Sequence, residues 1–240
     1  MVGGAKFVRV FVLATLCLAL VLAHAQAPTK ERGASSSAQS VIDSKSLSLK
    51  GDVAKGKTAY KVCSACHLPS GSGRHDGTYP QIAGQHAAIL IHQLEDIRAG
   101  RREAPTMFPF VMTLTDSREL ADVAAYISRL CIPLGHGRYE GKDATHQATV
   151  GKPIYEKACQ VCHGNYGEGN QDRLYPAIVG QHYKYLLRQM TEMRDGKRHS
   201  ASPGMVRILK QYSDTDLIAI AAYLSDLTAP GAMCTASGNR

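Results

Sequence analysis

The five residues Cys63-Ser64-Ala65-Cys66-His67 recur as Cys159-Gln160-Val161-Cys162-His163, displaced by 96 positions. Working outward, the same displacement returns twice. Tyr79-Pro80-Gln81-Ile82-Ala83-Gly84-Gln85-His86 is answered by Tyr175-Pro176-Ala177-Ile178-Val179-Gly180-Gln181-His182. Arg98-Ala99-Gly100-Arg101-Arg102 is answered by Arg194-Asp195-Gly196-Lys197-Arg198. The offset grows to 98 at Met107 and Met205, and Ala124-Ala125-Tyr126 matches Ala221-Ala222-Tyr223 near the ends. Three separate motifs at one spacing mark an internal duplication. The chain divides into two homologous domains, 51–131 and 147–240, joined by a stretch, 132–146, rich in Gly and charge.

Each copy carries helical periodicity. Ala87, Leu90, Ile91, Leu94 and Ile97 share a face, with Gly100 as the stop; Tyr183, Leu186, Leu187, Met190 and Met193 repeat that face before Gly196. The terminal helix of the first copy is predicted to start at Asp116, with Glu119 completing a capping box, and to present Leu120, Val123, Ala124, Ile127 and Leu130. Ser213 and Asp216 play those parts ahead of Leu217, Ile220, Ala221, Leu224 and Leu227. Alternating runs and hairpin signals are missing, so the fold class is all-α, with about three to five short helices per domain.

Cys-x-x-Cys-His is the attachment pattern of c-type haem. Two thiols three residues apart in a helical turn lie on one side of the chain and can add to the two vinyl groups along one haem edge. The adjoining histidine then brings a ring nitrogen under the iron. The expected cofactors are two covalently bound haem c groups, held by Cys63, Cys66 and His67 and by Cys159, Cys162 and His163. A zinc site built from two Cys-x-x-Cys pairs would want them about 15–20 residues apart. A thioredoxin-like pair would want a βαβ surround, and a plain disulfide would leave the histidine unexplained twice.

The iron needs a sixth ligand, and a thioether raises the potential and blocks substrate access, as suits electron transfer. Met190 and Met193 sit on an apolar helix face as core filler, and Met233 lies in a Gly-rich tail. Met107 and Met205 stand in matched places, after the Arg-x-Gly turn and before the terminal helix, and are the expected axial ligands. Met112 has no counterpart and is read as packing. His86 and His182 are read as capping or packing residues at helix starts; a bis-His iron is the sharper alternative and would leave Met107 and Met205 unexplained. His75, His92, His136, His146 and His199 are read as surface residues without partners.

These duplicated motifs resemble the diheme cytochrome c4 family over nearly the whole chain past the N-terminal region. The haem motif alone identifies c-type cytochromes in general. The repeated Pro-x-Ile-x-Gly-Gln with its downstream Met and Thr115-Asp116 is more specific. The resemblance implies two class I cytochrome c domains facing each other about a pseudo-twofold axis, His/Met iron in both, and a soluble or loosely membrane-attached periplasmic protein. It also implies that the carbonyls of Pro80 and Pro176 hold the second ring nitrogens of His67 and His163. Family members commonly carry Gly after the haem-binding histidine; Gly164 keeps it, and Leu68 departs from it.

The remaining composition fits this reading. Lys6 and Arg9, the apolar run Val10 to Ala23 and Ala23-His24-Ala25 form a signal-peptide pattern over 1–25, cleaved near Ala25, with an uncleaved anchor as the rival. Residues 26–50, rich in Ser, Ala and Lys, read as a flexible leader. Of seven cysteines, Cys17 lies in the signal and four in the motifs; Cys131 and Cys234 form a possible disulfide, with two free or partner-linked thiols as the alternative. The formal charge of +8 falls to +6 without Lys6 and Arg9, and four haem propionates would bring it to about +2. No basic stripe with interleaved aromatics marks a nucleic-acid binder. Arg98, Arg101, Arg102 and Arg194, Lys197, Arg198 either steer an acidic partner or contact propionates, or are solvated helix ends. With no Trp, four Phe and eleven Tyr, aromatics are scarce, and a large flat cofactor would fill each small domain. The expected function is electron transfer between redox partner proteins, from a membrane donor toward a terminal oxidase. Alternatives are a cytochrome subunit serving a dehydrogenase, such as a flavoprotein, or a diheme enzyme such as a thiosulfate-oxidising cytochrome.

Overall fold

In both copies the crossing of the first and last helices depends on a glycine. The computed structural model describes residues 49–133, 135–229 and 231, which fall in one compact unit. Helix α1 (Val53–His67) opens where the Asp52 carboxylate accepts from the amides of Ala54 and Lys55 at 2.9 and 3.1 Å. Its Gly56 lies flush against the backbone of Asp122 in the terminal helix, and Gly151 lies in the same way against Ala219 in the second copy. A side chain at either position would collide with a backbone carbonyl. Beside each crossing a tyrosine pair packs tilted, Tyr60 with Tyr126 at 5.3 Å between ring centres and Tyr155 with Tyr223 at 5.4 Å.

The first domain continues with α2 (Ala87–Arg98), the short α3 (Phe108–Val111) and the terminal α4 (Ser117–Ile127). The second holds α5 (Ala144–Ala158), α6 (Gln160–His163), α7 (Tyr183–Arg194), α8 (Pro203–Leu209) and α9 (Asp214–Asp226). That is four helices and five, all-α as expected; among the described residues β pairing is confined to one bridge between Asn170 and Tyr175. Gly100 and Gly196 follow α2 and α7 with φ of 69° and 74°, the left-handed conformation that ends a helix. The predicted faces form the cores: Leu90, Ile91, Leu120, Val123, Ala124 and Ile127 in one, Leu186, Met190, Leu217, Ile220 and Leu224 in the other. No helix among the described residues is long and apolar enough to cross a membrane.

One difference between the copies was hidden in spacing. Two residues separate Tyr60 from Cys63, whereas three separate Tyr155 from Cys159. An extra residue in an unbroken helix would rotate everything after it by about 100°. The second copy absorbs it by breaking the helix at Cys159 (φ −106°, ψ −39°), so α5 and α6 together do the work of α1. Both tyrosines then reach the same place: Tyr60 donates to the carbonyl of Leu68 at 2.7 Å and Tyr155 to that of Gly164 at 2.6 Å.

Three expectations need correction. The Asp116 side chain caps α4, but the Glu119 carboxylate turns to the Thr115 amide and hydroxyl (2.6 and 3.1 Å), so the box stays open. The box is closed in α9, where the Ser213 hydroxyl accepts from the Asp216 amide and the Asp216 carboxylate from the Ser213 amide. The joining stretch is a packed strap, and α5 already begins at Ala144 within it. Ile132 is buried against both Gly84 and Gly180, and Gly137 donates to His182 Nδ1 (2.9 Å) and accepts from the Tyr183 amide (2.7 Å). Leu49, within the stretch expected to be a flexible leader, packs on the first core; residues 1–48 lie outside the described residues.

Candidate haem-binding sites

Each Cys-x-x-Cys-His lies at the end of a helix, where the chain must turn sharply to carry the histidine inward. At Leu68 (φ 62°, ψ 160°) and Gly164 (φ 82°, ψ 175°) the backbone takes a conformation that suits glycine. His67 and His163 are 3% and 7% exposed. Nδ1 of His67 donates to the Pro80 carbonyl at 2.9 Å, and Nδ1 of His163 to that of Pro176 at 3.0 Å. A carbonyl only accepts, so these bonds fix the tautomer with Nε2 unprotonated. Burial holds both imidazoles below the ordinary histidine range, hence neutral.

The donor set fits haem c. His67 Nε2 is buried without a hydrogen-bond partner, an orphaned lone pair that a metal would satisfy. The four motif cysteines are free thiols, partly buried beside their histidines. Burial pushes the Cys63 and Cys159 thiols up to about 11, which keeps them from being ready thiolates for zinc or for disulfide exchange. Among the described residues no group of three or more His, Cys, Asp or Glu gathers to hold a metal ion.

Met107 and Met205 each stand at the start of the short helix that precedes the terminal one. Met107 is the N-terminal cap of α3 and Met205 the third residue of α8; both are half-buried, and Met205 packs on the second core. Met190 is buried in that core and Met193 packs against it. Met112 is 49% exposed rather than packed. Cys131 is disulfide-bonded, while Cys234 lies outside the described residues.

The other repeated polar residues knit the domains together. His86 and His182 precede their helices but cap nothing with their side chains. His86 Nε2 donates across to the Glu168 carbonyl, and His182 Nε2 to the Ser72 carbonyl, each at 2.8 Å. With Nδ1 taken by Gly137, His182 has no free ring nitrogen to offer an iron. Gln85 and Gln181, part of the repeated motif but given no role from the sequence, each grip the backbone N–H and C=O of one residue of the opposite domain at 2.8 to 3.0 Å. Their identical place in the two copies was the available signal.

Five of the six basic-cluster residues have partners within the protein, and Lys197 is exposed. Arg98 pairs with Glu95, Arg101 with buried Asp96, and Arg194 with Asp195 and Asp214. Arg102 crosses to the Tyr185 hydroxyl and Gln189, and Arg198 meets Gln189 from the other side. Burial, with Arg102 nearby, pushes the Arg198 guanidinium down to about 10. Two of the supposed surface histidines also have partners: His92 lies 3.3 Å from the Asp96 carboxylate and His136 Nε2 donates to the Ser225 carbonyl at 2.6 Å. His75 packs its ring on His182 at 5.7 Å.

Comparison with known proteins agrees with this geometry. The cytochrome c family profile matches twice, at residues 53–130 and 148–228. Cytochrome c4 of Azotobacter vinelandii is 32% identical over 190 residues, 74% of this chain and 90% of the relative. The crystal structure of reduced recombinant cytochrome c4 from Pseudomonas stutzeri superposes with a TM-score of 0.65 at 28% identity, over 74% of this chain and all of that one. A protein of Stutzerimonas stutzeri named thiosulfate dehydrogenase electron acceptor is 28% identical over 75% of this chain and 90% of its own length.

Proposed function

Since the chain belongs to the cytochrome c family, as a diheme protein of the cytochrome c4 type with two covalently bound haem c groups, we propose that it carries electrons in the periplasm from a membrane donor toward a terminal oxidase. The observation that carries the reading is the pair of buried, neutral histidines, each with Nδ1 locked on a proline carbonyl. Haem iron supplies a one-electron couple at each site. Cys63 and Cys66, and Cys159 and Cys162, would tether the two groups, and His67 and His163 would ligate the iron. Met107 and Met205 would complete the ligand sets and exclude exogenous ligands, which favours electron transfer over substrate chemistry. Residues 1–25 would direct export, and a Cys131–Cys234 bond would tie the strap to the C-terminus.

A second reading, an electron acceptor for a dehydrogenase, is favoured by the relative that bears that name. Stopped-flow mixing separates the two. The reduced protein should be oxidised rapidly by a haem-copper oxidase. Rapid reduction by a thiosulfate dehydrogenase, with no turnover by the oxidase, would replace the first reading by the second.

A further inference from the structure

The two glutamines of the repeated Gly-Gln-His motif form crossed hydrogen-bond chains that end on the opposite domain's proximal histidine. Gln181 Oε1 accepts from the Gln81 amide at 3.0 Å. That N–H belongs to the same peptide group as the Pro80 carbonyl, which accepts from His67 Nδ1 at 2.9 Å. Gln181 Nε2 also donates to the Gln81 carbonyl at 2.8 Å, so the side-chain amide grips both ends of one residue and its orientation is fixed. The mirror chain runs from Gln85 Oε1 to the Ala177 amide (3.0 Å) and through the Pro176 carbonyl to His163 Nδ1 (3.0 Å), with Gln85 Nε2 on the Ala177 carbonyl at 2.8 Å. Each Oε1 is braced further by the amide of the next residue, His86 at 3.1 Å or His182 at 3.0 Å.

A peptide whose N–H is engaged by an acceptor becomes a stronger acceptor at its own carbonyl, because bonds in a chain polarise one another. The effect is larger in a buried, low-dielectric setting, and Gln81 and Gln181 are 6% and 8% exposed. A stronger acceptor at Nδ1–H makes the imidazole a more basic ligand, which favours ferric over ferrous iron.

We propose that Gln85 and Gln181 are crossed positioning residues, each setting the reduction potential of the haem in the domain to which it does not belong. Gln181 acts on the haem held by His67, and Gln85 on the haem held by His163. The two potentials are thereby tied to the integrity of the domain interface. The proposal rests on reading His67 and His163 as proximal ligands. Two low-spin haems in the wild-type spectrum test that premise separately.

The experiment is an NMR-monitored redox titration of the full holoprotein, with haem resonances assigned to each domain, on wild type, Gln181→Leu and Gln85→Leu. Gln181→Leu should raise the potential of the His67 haem and leave the His163 haem in place. Gln85→Leu should do the reverse. In the reduced protein the His67 Nδ1 proton should exchange about tenfold faster in Gln181→Leu, the factor expected for roughly one lost hydrogen bond, while His163 Nδ1 is unchanged. A shift confined to the haem of the mutated domain, or no shift at either haem, would overturn the proposal. If one variant fails to retain both haems, its mirror carries the same test. Through-bond couplings from the Gln81 and Ala177 amides to the glutamine side-chain carbonyls provide a wild-type check, and their absence would also overturn it.

Discussion

The hydroxyl of Tyr60 donates to the carbonyl of Leu68 at 2.7 Å, holding that residue at φ 62° and ψ 160°. In the second copy Tyr155 grips Gly164 in the same way at 2.6 Å. That region of backbone space is open almost only to glycine and costs other residues about 1–3 kcal/mol. Leu68 is 38% exposed and loses little packing if removed. Leu68→Gly should therefore stabilise the first domain by about 1 kcal/mol, after the entropy of the new glycine is deducted. Thermal unfolding should show a rise of a few degrees in the midpoint; a fall would contradict the strain assigned to Leu68.

Removing either hydroxyl should have the opposite effect. Tyr60→Phe and Tyr155→Phe each leave a carbonyl at the haem-side turn without its donor, at a cost of about 1–2 kcal/mol. Denaturant melts followed by the haem absorption should show the loss in each case. A neutral result for both would mean that water replaces the phenol freely.

Ile132 should behave as the wedge between the domains. It packs on Gly84 and Gly180, whose φ angles are 67° and 69°, so the matched glycines leave room for one shared side chain. Ile132→Ala should cost about 2–4 kcal/mol by opening a cavity. Calorimetry should show the two domains unfolding less cooperatively. A single transition as sharp as that of wild type would contradict this role.

His182 should make the interface sensitive to acid. The side chain is fully buried, and burial lowers its pKa from 6.5 to about 4, with His75 and His136 adding to the shift. A base whose folded pKa is depressed contributes stability that is complete above its unfolded pKa and is lost as pH falls toward the folded one. The loss should run from about pH 6.5 down to about pH 4 and amount to roughly 1–3 kcal/mol. His182→Gln should flatten the unfolding midpoint across that window. A dependence as steep as wild type would assign the effect to other groups.

The duplication and the helical faces were legible because each is written in local spacing, and the histidine–proline bonds were legible because the family resemblance implied them. The interface was not, because it joins residues about 80 to 110 positions apart. Arg102, His86 and His182 find their hydrogen-bond partners only when the two copies meet. The helix break at Cys159 could have been read from the single extra residue after Tyr155. The open box at Glu119 could not, since Thr115 competes for the same carboxylate.

The proposed methionine ligands can be tested one at a time. Met107→Ala should abolish the thioether-to-iron charge-transfer band of one haem and open that iron to carbon monoxide, and Met205→Ala should do the same at the other. Retention of both bands in both variants would show that the ligands lie elsewhere.

A diheme electron carrier should keep both iron sites closed. The most direct measurement is carbon monoxide binding to the fully reduced, purified wild-type protein, monitored by absorption alongside a redox titration. Two one-electron steps and no rapid binding at either haem are expected. Rapid binding at either one would reveal an open iron and contradict the carrier reading.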